Sequence, residues 1–146
     1  MTSFSSSEAR AVSMLATLYV VRMLGLFMVL PLIAIYSADL AGATPFLLGL
    51  AVGAYGLTQA SLQIPMGWLS DRVDRRVVII LGLAMLVLGS VVAALSTSIW
   101  GVVLGRFLQG AGAIASATMA LVADYTRAEQ RAKASAIIGG SIAIAF

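Results

Sequence analysis

The chain has 146 residues, 61% of them hydrophobic and 10% charged, with a mean hydropathy of +1.04 and neither histidine nor cysteine. A soluble domain carries roughly 25% charged residues, so water alone cannot solvate this surface and lipid must be its main solvent. The missing residue types exclude disulfides, thiolate nucleophiles and most zinc and haem chemistry, and the net charge of +3 does not point to nucleic acid, because the charges lie mainly in short connections between apolar runs.

Met1 to Arg10 is polar and serine-rich, and reads as a cytoplasmic N-terminus. Apolar residues run from Ala11, interrupted by Arg22, and no small-residue cleavage site follows a short apolar core. This predicts a retained transmembrane helix rather than a signal peptide. A bilayer core about 30 Å thick needs roughly 20 apolar helical residues. Segments of about 11–36, 46–69, 77–95 and 100–122 qualify. A further run, 134–146, begins near Ala134 and stops at Phe146; at about 1.5 Å per residue it is too short to span. The expected architecture is therefore an all-α polytopic membrane protein. It has four transmembrane helices plus the start of a fifth, with 11–146 as a partial bundle that ends inside a helix, as a truncated chain would.

The connection 37–45 holds the turn formers Asp39, Gly42 and Pro45. Seven positive charges flank the spans: Arg10; Arg72, Arg75 and Arg76; Arg127, Arg131 and Lys133. All fall on one side, and the positive-inside rule puts that side in the cytoplasm. The other two arginines, Arg22 and Arg106, lie inside apolar runs. A charged side chain there costs at least about 2.5–3.5 kcal/mol on insertion scales and belongs in a bundle interior or at an interface. Arg22 is roughly 18 Å into the first helix, too deep for easy snorkelling, which favours a paired or functional buried charge. Arg106 is closer to the outer end, so snorkelling competes with a buried role.

Small residues recur at close to fourfold spacing: Gly49, Gly53, Gly56 and Ala60 on the second helix, then Gly101, Gly105, Gly112, Ser116 and Ala120 on the fourth. They predict close helix packing. Tyr55, Gln59 and Gln63 form one polar stripe at i, i+4 and i+8. It either lines a cavity where it meets substrate or supplies hydrogen bonds between helices. Asp71 and Asp124 close the second and fourth helices at the negative end of the helix dipole, so each needs a cationic partner or another helix N-terminus. No catalytic dyad or metal set appears. Glycines such as Gly110 and Gly112 lack the strand–turn context of a nucleotide fold, so neither an enzyme nor a cofactor is expected.

Gly67-Trp68-Leu69-Ser70-Asp71-Arg72-Val73-Asp74-Arg75-Arg76 sits between two apolar runs. It resembles the loop between helices 2 and 3 of the major facilitator superfamily, Gly-x-Leu-(Ser/Ala)-Asp-(Arg/Lys)-x-Gly-Arg-(Arg/Lys). Asp74 stands where glycine is usual, and Asp tolerates left-handed backbone better than most residues. Arg106, Gln109 and Gly110 resemble the Arg-x-x-Gln-Gly signature of the fourth helix in proton-coupled members. The stretch Arg22 to Pro31 resembles the first helix of a bacterial inner-membrane member, and Pro31 would kink the outer half of that helix. The chain is thus identified as similar to the N-terminal part of a drug:proton antiporter of this superfamily.

That resemblance implies alternating access in a bacterial-type inner membrane, with small-molecule substrate, protons and the C-terminal half of the transporter as partners. It implies a conformational latch of Gly67, Asp71, Arg72, Arg75, Arg76 and Asp124. There Asp71 meets a helix N-terminus in the second half, Arg75 pairs with Asp124, and the outward-facing state is held. It links Arg106 to proton movement and leaves Tyr55, Gln59, Gln63 and Gln109 as cavity lining. A non-transporting fragment or interaction subunit is the alternative. A small homodimeric multidrug pump fits less well, because no Asp or Glu lies mid-helix.

Overall fold

The computed structural model describes residues 4–145. The elements are α1 (Ser6–Tyr36), α2 (Pro45–Arg72), α3 (Arg75–Leu95), α4 (Ile99–Ala111), α5 (Ala115–Tyr125) and α6 (Ala128–Ala145). Four stretches are long and apolar enough to cross a membrane: α1, α2, α3 and the continuous segment Ile99–Tyr125. Large apolar side chains such as Met14, Met28, Ile64, Ile80 and Leu95 are exposed along them, as a lipid solvent requires.

Local chemistry sets the helix ends. α1 starts at Ser6, ahead of the apolar run, because Ser5-Ser6-Ser7-Glu8 forms a capping box. The Glu8 N–H donates to Ser5 Oγ at 3.3 Å and the Ser5 N–H donates to Glu8 Oε2 at 2.8 Å. Thr44 caps α2 by accepting from the Leu47 N–H at 3.2 Å, and Pro45 occupies the first turn, where its missing N–H costs nothing. Pro31 and Pro65 both lie inside continuous helices. Asp74 does not adopt the left-handed backbone expected of a glycine substitute. Its φ is −56°, and it serves as the N-cap of α3, accepting from the Arg76 N–H at 2.9 Å.

The fourth span, expected as one helix over 100–122, is two. α4 ends at Ala111, Gly112 takes φ −75° and ψ 43°, and α5 begins at Ala115. Gly110 and Gly112 are weak helix formers. The break is sheltered: Ala113 and Ile114 are each 1% exposed, which lets non-helical backbone exist at membrane depth.

The chain divides into two compact units, Leu30–Ala117 and Met1–Val29 with Thr118–Phe146. In the first, α4 packs against both α2 and α3. Its contacts with α2 advance together along the two helices, Arg106 meeting Ala51 and Gly110 meeting Tyr55, so these helices run parallel. Its contacts with α3 run oppositely, with Gly105 on Gly89 and the C-cap Gly112 on Gly82. Where α2 and α4 begin, the connections pair: Ala41 N–H donates to the Thr97 carbonyl at 3.0 Å and Ile99 N–H to the Ala41 carbonyl at 3.1 Å. Exposed Trp68 and Trp100 mark opposite ends of this unit, the positions where aromatic residues settle at membrane interfaces.

In the second unit, α1 buries a stripe of Glu8, Val12, Leu15, Tyr19, Arg22 and Leu26. The spacing is that of one helix face. Two of its members are charged.

Candidate functional site

Arg106 is 2% exposed. It does not snorkel; it belongs to a hydrogen-bonded chain. Its Nε donates to the Ala51 carbonyl at 3.3 Å and its Nη1 to Gln109 Oε1 at 2.9 Å. Gln109, itself 1% exposed, donates from Nε2 to Ser90 Oγ at 2.9 Å. Ser90 in turn donates to the Leu86 carbonyl at 2.8 Å. The guanidinium also lies 5.0 Å from the Tyr55 ring centroid, within range of cation–π attraction. One charge on α4 thus joins α2 and α3. The i, i+3 spacing of Arg106 and Gln109 puts both on one helix face, while Ser90 is a member that sequence reasoning did not find.

The α2 stripe adds two incompletely used polar groups. The Tyr55 hydroxyl and Gln59 Oε1 are buried without a hydrogen-bond partner among the described residues. Gln63 acts through its backbone, its carbonyl accepting from Ser116 Oγ at 3.2 Å. Tyr55, Arg106 and Gln109 are therefore brought together, with Gln59 one turn along the same α2 face.

The charged hairpin is the corner between α2 and α3. Arg75 Nη2 lies 3.5 Å from Asp71 Oδ1, four positions apart, with the carboxylate largely exposed, which makes it a weak pair. Arg72 stacks over Trp68 at 3.8 Å. Arg76 meets Asp74 through its backbone N–H. At Gly67 an added Cβ would come 3.1 Å from Ser116 Oγ, so glycine allows α2 close approach there. Asp124 closes α5, in the other unit.

Arg22 is 4% exposed, and its Nη1 has no hydrogen-bond partner among the described residues. Elsewhere in the same unit lies a constellation the sequence reading missed. Glu8 Oε1 accepts from the Arg127 backbone N–H at 2.9 Å and from Arg127 Nε at 3.0 Å, and Glu8 Oε2 accepts from Arg127 Nη2 at 3.0 Å. Glu8 precedes the apolar part of α1, and Arg127 precedes α6. The guanidinium and the backbone N–H of Arg127, with the Ser5 N–H, hold the Glu8 carboxyl well below the ordinary carboxylate range. Glu8 in turn raises the Arg127 guanidinium above its ordinary value. Lys133 lies 4.9 Å from the Phe4 ring centroid in the same unit. The Ser-x-x-Glu pattern was the available sequence signature; it marks a helix start but not the arginine that shares its carboxylate.

A multi-pass membrane bundle, with close glycine contacts and a buried arginine chain at its helix crossings, defines the class. Residues 15–146 match the family model described as Major Facilitator Superfamily, and the chain belongs to that family of transporters. It is 56% identical over 139 residues, 95% of its length, to the inner membrane transport protein YajR of Escherichia coli K12. It is 34% identical over 97 residues to the class B tetracycline resistance protein of Escherichia coli. It is also 30% identical over 112 residues to the quinolone resistance protein NorA of Staphylococcus aureus. These matches cover 66% and 75% of the chain. The chain spans 31%, 24% and 29% of the three relatives' own lengths.

Proposed function

We propose that this chain is part of a transporter that exports small molecules across a bacterial inner membrane by alternating access, driven by protons. The observation that carries the reading is Arg106, a charge 2% exposed within an apolar span and tied by hydrogen bonds to α2 and α3. Burying a charge at membrane depth is costly, and the charges retained there mark substrate pathways or proton relays. An arginine is a fixed positive charge rather than a proton carrier. Its role is to control when a nearby acidic group holds a proton, by favouring the ionised form while it is close. No Asp or Glu lies in the apolar spans of this chain. The proton-bearing group is therefore assigned to another part of the transporter, or to the substrate, and Arg22 is read as a second buried charge that such a group satisfies.

Tyr55, Gln59, Gln63 and Gln109 are assigned to the substrate side, supported by the unpartnered Tyr55 hydroxyl and Gln59 Oε1. The latch is assigned to Gly67, Asp71, Arg72, Arg75 and Arg76 with Asp124. The N-terminus is placed in the cytoplasm on the strength of the one-sided positive charge. The names of the tetracycline and quinolone resistance relatives suggest probes. In inverted membrane vesicles containing the intact protein, norfloxacin or tetracycline is expected to accumulate when a proton gradient is applied and to leak out when the gradient is collapsed. Accumulation unaffected by collapsing the gradient would contradict proton drive. No accumulation of any probe, ethidium included, would contradict drug export.

A further inference from the structure

We propose that Glu8 is a positioning residue for the cytoplasmic latch, fixing the corner between α5 and α6 on which Asp124 sits. The inference rests on the latch reading above. Glu8 is 4% exposed although it lies in a polar, serine-rich N-terminus. Its carboxylate has three jobs. It closes the capping box of α1 by accepting the Ser5 N–H. It accepts the backbone N–H of Arg127, one residue before α6. It receives the Arg127 guanidinium through both carboxylate oxygens. A bidentate charge-assisted pair of this kind fixes direction as well as distance.

The backbone hydrogen bond is the informative one. A side-chain pair alone would tether two flexible groups, whereas a bond to the Arg127 N–H holds the main chain of the corner itself. Thr126 Oγ1 donates to the Val122 carbonyl at 2.7 Å and the Gln130 N–H donates to the Arg127 carbonyl at 2.9 Å. The corner is therefore pinned on both sides of Arg127, and Asp124 is three residues before it. Glu8 also sits near the positive end of the α6 dipole, where a carboxylate is favoured. The first helix thereby sets where the latch carboxylate stands.

The test uses the intact protein with other cysteines removed and one reporter, Ser70→Cys, at the cytoplasmic end of α2. Ser70 is 3% exposed, so a membrane-impermeant maleimide labels a cysteine there slowly in the parent, and on the latch reading opening speeds it. Asp124→Asn, which opens the latch directly, is the reference. Glu8→Gln keeps an acceptor for the backbone N–H and suits a capping box but loses the ion pair; Glu8→Ala loses both. Glu8→Ala is expected to raise the labelling rate at least about fivefold, the low end of ordinary coupling between sites. Glu8→Gln should fall between Glu8→Ala and the parent, and Glu8→Ala with Asp124→Asn should label no faster than Asp124→Asn alone. Thermal unfolding in detergent, run in parallel, restricts the comparison to folded variants.

If Asp124→Asn raises labelling and both Glu8 variants label like the parent, Glu8 serves only local packing and the positioning role is overturned while the latch stands. If the effects of Glu8→Ala and Asp124→Asn simply multiply, Glu8 acts elsewhere and the positioning role is again overturned. If Asp124→Asn itself leaves labelling unchanged, the latch reading fails and takes this inference with it.

Discussion

Gly105→Ala and Gly89→Ala are each expected to destabilise the protein by about 1–3 kcal/mol, the usual cost of overpacking, while Gly49→Ala and Gly53→Ala leave it as stable or more so. Alanine gains about 1 kcal/mol over glycine in any helix interior, so the sign depends on what the new methyl group meets. A Cβ on Gly105 would lie 2.6 Å from the Gly89 carbonyl oxygen and 2.8 Å from the Ala93 nitrogen. A Cβ on Gly89 would lie 2.5 Å from the Gly105 oxygen and 2.6 Å from the Gln109 nitrogen. These are backbone atoms that cannot rotate away, so α3 and α4 must separate. At Gly49 and Gly53 nothing lies within 4 Å. Unfolding temperatures of the purified variants in detergent check the split. Similar losses at all four positions would show that the glycines act through something other than the α3–α4 contact.

Arg106→Leu is expected to abolish proton-driven export of norfloxacin or tetracycline without lowering stability. Two terms oppose each other. Losing the guanidinium leaves Gln109 Oε1 without its donor, a cost of about 1–3 kcal/mol for an unsatisfied buried group. Removing a charge from membrane depth returns about 2.5–3.5 kcal/mol on insertion scales. The sum is near zero or favourable, so a dead but stable variant is the signature of a charge kept for function. Arg106→Lys is expected to fail as well. An ammonium keeps the charge but not the planar fork that reaches the Ala51 carbonyl and Gln109 Oε1 together. Export that persists in Arg106→Leu would reduce Arg106 to a packing element.

The fold was legible because lipid leaves so few choices. Apolar length located the spans, and the match to the family model agrees with the motif at Gly67 to Arg76. Helix ends were less legible. The capping box carried α1 back to Ser6, and α6 starts at Ala128 rather than near Ala134, because polar residues continue a helix that hydropathy would end. The interruption at Gly112 was hidden by the same glycines that were read as packing motifs, since close backbone approach and weak helix propensity use one residue type. The small-residue rows also proved unequal: those of α4 are clasped, while Gly49, Gly53 and Gly56 face open space among the described residues.

At the site, Arg106 with Gln109 was visible from i, i+3 spacing. Ser90 was not, because one serine on an apolar helix has no pattern to mark it. Glu8 was overlooked because a carboxylate in a polar N-terminus reads as solvated. Only the fold brings Arg127, 119 positions along the chain, within 3.0 Å of it.

Proton movement tests the central reading most directly. Purified intact protein would be reconstituted in liposomes loaded with the pH dye pyranine, with the membrane voltage clamped, and norfloxacin or tetracycline added outside. A change in internal pH that follows probe addition, vanishes without protein and is lost in Arg106→Leu is the expected result. Probe movement across the membrane with no accompanying pH change would contradict proton coupling and remove the reason for a charge at Arg106.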